Sequence, residues 1–282
     1  MTASSVMTVA VVAALAACSS PEPAASGPAE ALPAGSLPPA HVHGVGIDPG
    51  DGAVLVATHE GLLEVGDGGQ VTPVGPVIDL MGFSVAGPDR YLASGHPGLR
   101  VDLPQPVGLI ESTDGGRTWT PLSRQGQSDF HGLTVSDAGV LGFDGALMRS
   151  PDGREWEQLD IPVEPHSLAA SPDGMHVLAT TQQGLLRSVD AGSSWSSVDG
   201  APVLQVVDWA DGDSAVGVTP TGVVWFSSDR GESWQEAGRL DAAPEAVAAS
   251  SEGDRMRLVV VTTDALVESF DGGSTFQVLL ER

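Results

Sequence analysis

From residue 41 onward the apolar residues come in short runs of strand length, each closed by Gly, Pro, Asp or Ser. In the stretch 166–199 the segments HSLAAS, HVLATT, LLRSVD and WSSVD alternate with the turns PDG, QQG and AGS. That rhythm predicts four short antiparallel strands per unit, and helical periodicity is missing after residue 17. The unit also recurs. ESTDGGRTW ends at Trp119, RSVDAGSSW at Trp195, SSDRGESW at Trp234 and ESFDGGSTF at Phe276, while SPDGREW is a worn copy ending at Trp156. The opening serines, Ser112, Ser150, Ser188, Ser227 and Ser269, are spaced by 38, 38, 39 and 42 residues. A weaker copy upstream, EVGDGGQV, has Val65 in place of the serine and keeps Asp67. Six four-stranded units at this period predict an all-β chain folded as a six-bladed β-propeller of antiparallel blades.

The motif falls between the third and fourth strands of each unit. Asp114, Asp152, Asp190, Asp229 and Asp271 are expected to accept backbone N–H groups of their own turns, with the serine hydroxyls assisting. Glycine supplies the left-handed residue. Trp119, Trp156, Trp195, Trp234 and Phe276 are expected to pack into the crevice toward the next blade. The aspartates lack the dense oxygen set of a calcium site, so their role here is structural.

These turns resemble the Asp-box, or BNR, repeat of sialidases, sortilin-type receptors and photosystem II assembly-factor-like propellers, over residues 41–282. The phrases HVHGVGIDP, ATHEGL, GFSVAGPDRYLASGHPGLRVDLP and GLIESTDGGRTW resemble more closely a group of bacterial glycosyl hydrolase-like lipoproteins of the sialidase superfamily. The resemblance implies a propeller and makes glycoside hydrolysis an alternative function. By family, a retaining sialidase would need a Tyr nucleophile with a Glu partner, an Asp acid and three arginines on the sugar carboxylate. This chain has one tyrosine, Tyr91 in RYLAS, lacks the Arg-Ile-Pro element, and places Arg117 and Arg230 inside the repeated turns. No spacing singles out a pair of carboxylates facing each other across a sugar, so no catalytic residue is assigned.

The seven histidines carry the other signal. Aligning the first strands puts His43, Met81, His131, His166, Gln205 and Glu245 in one column. In a propeller the first strand lies nearest the axis, so this column should ring the mouth of the central channel. His59 and His96 sit in connections between second and third strands that open on the same face, and His41 precedes the first strand there. His96 belongs to a long connection, 94–107, expected to fold over the mouth; His176 should lie at the opposite end. Imidazoles with a thioether suit copper, and zinc is the option that depends less on methionine. His43, Met81, His131 and His166 are the expected first ligands of a metal site, with His59, His96 and His41 in reserve. A polar funnel for a small or sugar-like ligand, contacted by His41, Gln205, Glu245 and Arg100, is the competing expectation, and a solvated lining is the third.

Charge and the N-terminus then narrow the class. The formal net charge is −25, and all 12 basic residues are arginine, a balance that repels phosphate backbones and excludes nucleic acid. The run SVMTVAVVAALAAC has the length of a signal-peptide core, and its Leu15-Ala16-Ala17-Cys18 ending resembles a bacterial lipobox. Residues 1–17 are therefore expected to be a lipoprotein signal peptide. Residues 18–40, rich in Pro, Ala and Ser, should form a tether, and 41–282 the propeller. Cys18, the one cysteine, is the expected lipidation site and membrane anchor. The resulting expectation is a monomeric, lipid-anchored extracytoplasmic binding protein that takes a metal ion, small ligand or glycan at its channel mouth. A glycosyl hydrolase of the sialidase/BNR type is the alternative, and a scaffold offering blade surfaces to another envelope protein is a further one.

Overall fold

The computed structural model describes residues 1, 36–38, 40–66, 68–253 and 255–282. Cys18, the expected signal peptide 1–17 apart from Met1, the expected tether 18–40 apart from residues 36–38 and 40, and Asp67 lie outside the described residues. Within them the chain forms six four-stranded antiparallel sheets, each built from consecutive strands. Blade 1 holds β1 (Val42–Ile47), β2 (Val54–Thr58), β3 (Gly61–Val65) and β4 (Val71–Val74). Blade 2 holds β5 (Ile78–Gly87), β6 (Arg90–Pro97), β7 (Leu109–Ser112) and β8 (Thr120–Ser123). Blade 3 runs through β9 (Gly132–Ser136), β10 (Gly139–Phe143), β11 (Leu147–Ser150) and β12 (Glu157–Leu159). Blade 4 comprises β13 (Ser167–Ala170), β14 (Val177–Thr181), β15 (Gly184–Ser188) and β16 (Ser196–Ser197). Blade 5 has β17 (Val206–Trp209), β18 (Ala215–Val218), β19 (Val223–Ser227) and β20 (Gln235–Arg239). Blade 6 has β21 (Pro244–Glu252), β22 (Arg255–Thr262), β23 (Ala265–Ser269) and β24 (Gln277–Glu281).

The first strands β1, β5, β9, β13, β17 and β21 pack side by side, and β21 returns to β1, so the ring is closed. This is the expected six-bladed propeller. Each strand pair buries one apolar face against a neighbouring blade, which gives six separate hydrophobic clusters, one at every joint. At the seam, Ser36 bridges Glu281 in parallel and the Leu37 N–H donates to Glu281 O at 2.9 Å. Leu37 is buried in the cluster shared by blades 6 and 1. The fold thus takes hold of the chain ahead of His41, while every blade keeps its own four strands.

In the repeated turns, hydrogen bonds close as their residue types dictate. Ser227 Oγ donates to Asp229 Oδ1 at 2.8 Å and accepts the Gly231 N–H at 2.9 Å; the Ser233 N–H donates to the same Asp229 oxygen at 2.9 Å. Ser112/Asp114, Ser188/Asp190 and Ser269/Asp271 repeat this network. The shortened copy draws the N–H groups of Arg154 and Glu155 onto Asp152 instead. The direction of the wedge differs from expectation. Trp119, Trp156, Trp195, Trp234 and Phe276 each pack into the cluster shared with the preceding blade, not the next one. The inner turn glycine explains this. Gly116, Gly231 and Gly273 take φ of +82°, +78° and +88°, and a Cβ there would meet Leu62, Leu178 and Val224 of the preceding blade within 2.8 Å. The turn backbone lies against that blade, and the ring follows it.

Hydrogen bonds from Ser233 and Thr275 hold the Asp229 and Asp271 carboxyls down at about 2, and Asp114, Asp152 and Asp190 are shifted the same way. Carboxylates depressed in the folded state contribute stability that is present above the ordinary Asp range and lost as pH falls through the folded values. Denaturant midpoints measured against pH should therefore drop between about pH 4 and pH 2. Asp229→Ala should flatten that drop.

The connection between β6 and β7 does not fold over the mouth. Val107 is fully buried, and Val101 and Leu103 pack on the cluster between blades 1 and 2, so its apolar residues draw it into that joint. Arg100 is left exposed on its surface, away from the channel.

Candidate metal centre at the channel mouth

A channel of about 1300 Å³ runs along the axis, lined at one end by His41, His43, Met81, Asp129, His131 and His166. Every first strand starts at this end, so residues at the head of each strand converge there. His43 lies in β1, Met81 in β5, and His131 and His166 immediately precede β9 and β13. Two places upstream of the predicted column stand His41, Asp79, Asp129 and Glu164, and this second polar column is what the sequence reading missed.

Blade 1 gathers three imidazoles. The rings of His41 and His43 are 4.9 Å apart, those of His43 and His59 4.3 Å, and His43 Nε2 lies 3.1 Å from His59 Nε2. Among the described residues this trio alone brings three His, Cys, Asp or Glu donor atoms all within 4.8 Å of one another. Nitrogens bound to one tetrahedral ion at 2.0–2.1 Å sit about 3.4 Å apart, so small ring rotations would close the trio on an ion. The β2–β3 turn delivers His59, and the antiparallel pairing of β1 with β2 brings it beside His43.

Two carboxylates continue the row. Asp79 Oδ1 accepts from His59 Nδ1 at 2.7 Å and Asp79 Oδ2 from His96 Nδ1 at 3.1 Å. The β5–β6 register pairs Asp79 directly with His96. Asp129 Oδ2 then lies 3.1 Å from His96 Nε2 and 3.0 Å from His131 Nε2. The row passes from blade 1 through blade 2 to blade 3. Burial, and then the charges that His59 and His41 would carry, hold the His43 imidazole down at about 4. His43 is therefore neutral, the form that binds metal, well below neutral pH.

The remaining predicted residues fall elsewhere. Met81 and His166 line the channel, with His166 outside the trio. The Gln205 amide donates to Pro244 O at 2.6 Å, tying blade 5 to blade 6. Glu245 accepts from Arg282 at 2.7 Å. His176 precedes β14 at the opposite end, beside Trp209. Tyr91 is buried at that same end; burial and its hydrogen bond to Asp48 at 2.7 Å push its phenol up. Deeper in the channel, Asp208 accepts the Ala249 N–H at 2.9 Å, and burial raises its carboxyl to about 7.

No protein-family model matches the chain. No curated protein matches it either. Solved structures do. A GH74 enzyme of Niastella koreensis aligns over 87% of this chain at 17% identity with a TM-score of 0.59; the match spans 38% of that enzyme. YCF48 bound to D1 peptide aligns over 86% of this chain and 96% of its own at 13% identity, TM-score 0.56. A chain of the nidogen/laminin complex covers 80% and 91% respectively at 14% identity, TM-score 0.61. At these identities the likeness is one of fold, and it places the chain among the β-propellers.

Proposed function

We propose that this chain is a lipid-anchored extracytoplasmic binding protein that captures a transition-metal ion, copper or zinc, at the mouth of its propeller. The three imidazoles of His41, His43 and His59, converged on one point, carry the reading. A neutral nitrogen set suits both ions, and three protein ligands leave a fourth position open toward the channel. Asp79 supports it by receiving the His59 Nδ1–H, which fixes that ring with Nε2 turned to the ion. Anchoring through Cys18, on the lipobox resemblance, would hold the site at the extracytoplasmic face of the cell membrane. Zinc and copper titrations followed by calorimetry test the reading: Asp79→Asn should weaken binding 10–100-fold while leaving the fold intact. Equal affinity for wild type and a His43→Ala/His59→Ala variant would remove it.

A second reading, glycoside hydrolysis of the sialidase/BNR type, is favoured by one observation. Asp208 carries a carboxyl raised to about 7 on the channel wall, the range of a general acid at neutral pH. Turnover of a fluorogenic glycoside panel, lost in Asp208→Asn, would support it. A wild-type protein inert toward the panel would end it.

A further inference from the structure

The three members of the trio are not held alike. His43 lies within β1 and His59 sits in the β2–β3 turn, so the sheet of blade 1 fixes both. His41 is exposed and precedes the first paired residue of that sheet, Val42, which faces Thr58. What holds His41 on its other side belongs to blade 6. The Ala40 carbonyl accepts from Arg282, which also donates to Glu245 at 2.7 Å. The Leu37 N–H donates to Glu281 O at 2.9 Å. Leu37 itself is 4% exposed, in the cluster that joins Val261 and Leu280 of blade 6 to Val54 and Val56 of blade 1. His41 therefore reaches the trio from a strap laid across the seam. One buried leucine and a few hydrogen bonds oppose the entropy of ordering that strap, terms of similar size, so its docking is easily shifted.

We propose that this strap positions His41 for the ion, with Leu37 and Arg282 as positioning residues, and that ion capture in turn fastens the strap to the seam. The inference rests on the trio reading above and adds its regulation. An ion bound by all three rings fixes His41 beside His43 and His59. A strap lifted off the seam frees His41 and leaves two rings. Coupling between two binding events is reciprocal, so whatever factor the ion adds to strap docking, the docked strap adds to ion affinity. Leu37 offers no ligand atom and lies in an apolar joint, so its effect on the ion runs through His41.

Zinc affinity, read by calorimetry at pH 7, tests this in a double-mutant cycle. Wild type, Leu37→Ala, His41→Ala and the double variant are compared, with circular dichroism confirming that each is folded. Leu37→Ala should weaken binding about 10-fold, inside the ordinary span of such couplings, and Leu37→Ile should restore most of it. In the His41→Ala background, Leu37→Ala should change nothing. Equal affinity for wild type and Leu37→Ala would overturn the role of the strap and leave the trio standing. The same loss in both backgrounds would overturn it too, because the effect would then bypass His41. A wild type that binds no zinc would end the trio and this inference together. Hydrogen exchange of the Leu37 amide gives a reading that needs no Leu37 variant. Saturating zinc should slow it about 10-fold in wild type and leave it unchanged in His41→Ala. Slowing in both proteins, or in neither, would overturn the proposal.

Discussion

His43→Ala is expected to weaken copper and zinc binding at the trio by on the order of 100-fold or more. Loss of an outer-sphere partner alone costs about 10–100-fold, and His43 is itself the ring that touches both of the others. Isothermal titration at pH 7 reads this directly. The same residue sets a pH limit. With its imidazole held at about 4, His43 offers no proton to compete with the ion between pH 7 and pH 5. Protonation of the His43 ring itself opposes binding only as pH falls toward about 4. The metal-free protein has a matching signature. In the unfolded chain His43 takes up its proton near its ordinary value of 6.5, so the unfolded state binds more protons between 6.5 and 4. Stability is therefore full above about 6.5 and declines as pH falls toward 4, and His43→Ala should remove that slope.

Arg282→Ala is expected to cost about 3 kcal/mol, seen as a fall in the unfolding midpoint of roughly 6–12 °C. The guanidinium is 13% exposed and donates to Glu245 at 2.7 Å, to Thr262 O at 3.3 Å and to Ala40 O. Removing it leaves the Glu245 carboxylate, itself 17% exposed, without its counter-charge. The exposed pair of Arg90 with Glu111 serves as a control, and Arg90→Ala should cost less than about 1 kcal/mol. The large effect follows from where Arg282 sits. Five joints carry an aromatic wedge from the later blade onto the earlier one. Blade 1 would supply the sixth, against blade 6, but its degenerate turn has no serine and no ring. Leu37 and Leu280 fill that cluster instead, and Arg282 fastens the strap that brings Leu37 there.

The blade count and the chemistry of the turns were legible because both are local: a serine, an aspartate and a glycine at fixed spacing close a turn wherever they stand. The histidine column was legible for the same reason, as strand heads recur at the period of the blade. What escaped was the partner of each histidine. Asp79 and Asp129 looked like two among 37 acidic residues, although each stands two places before a column residue. A second alignment offset by two would have shown His41, Asp79, Asp129 and Glu164 together. The side to which the tryptophans lean was not legible, because spacing carries no handedness between sheets. The expectation that 94–107 would cover the mouth weighed its length and overlooked Val101, Leu103 and Val107, which had a joint to fill.

Because Ser36 and Glu281 meet at the seam, the two ends of the described propeller are neighbours, and among the described residues no strand crosses from one blade into another. The ring therefore has no obligatory first blade. A short peptide joining these ends, with a fresh break opened between β20 and β21, would leave all six sheets and the histidine row unchanged. The cyclic order of the blades, rather than which of them is made first, is what the architecture requires.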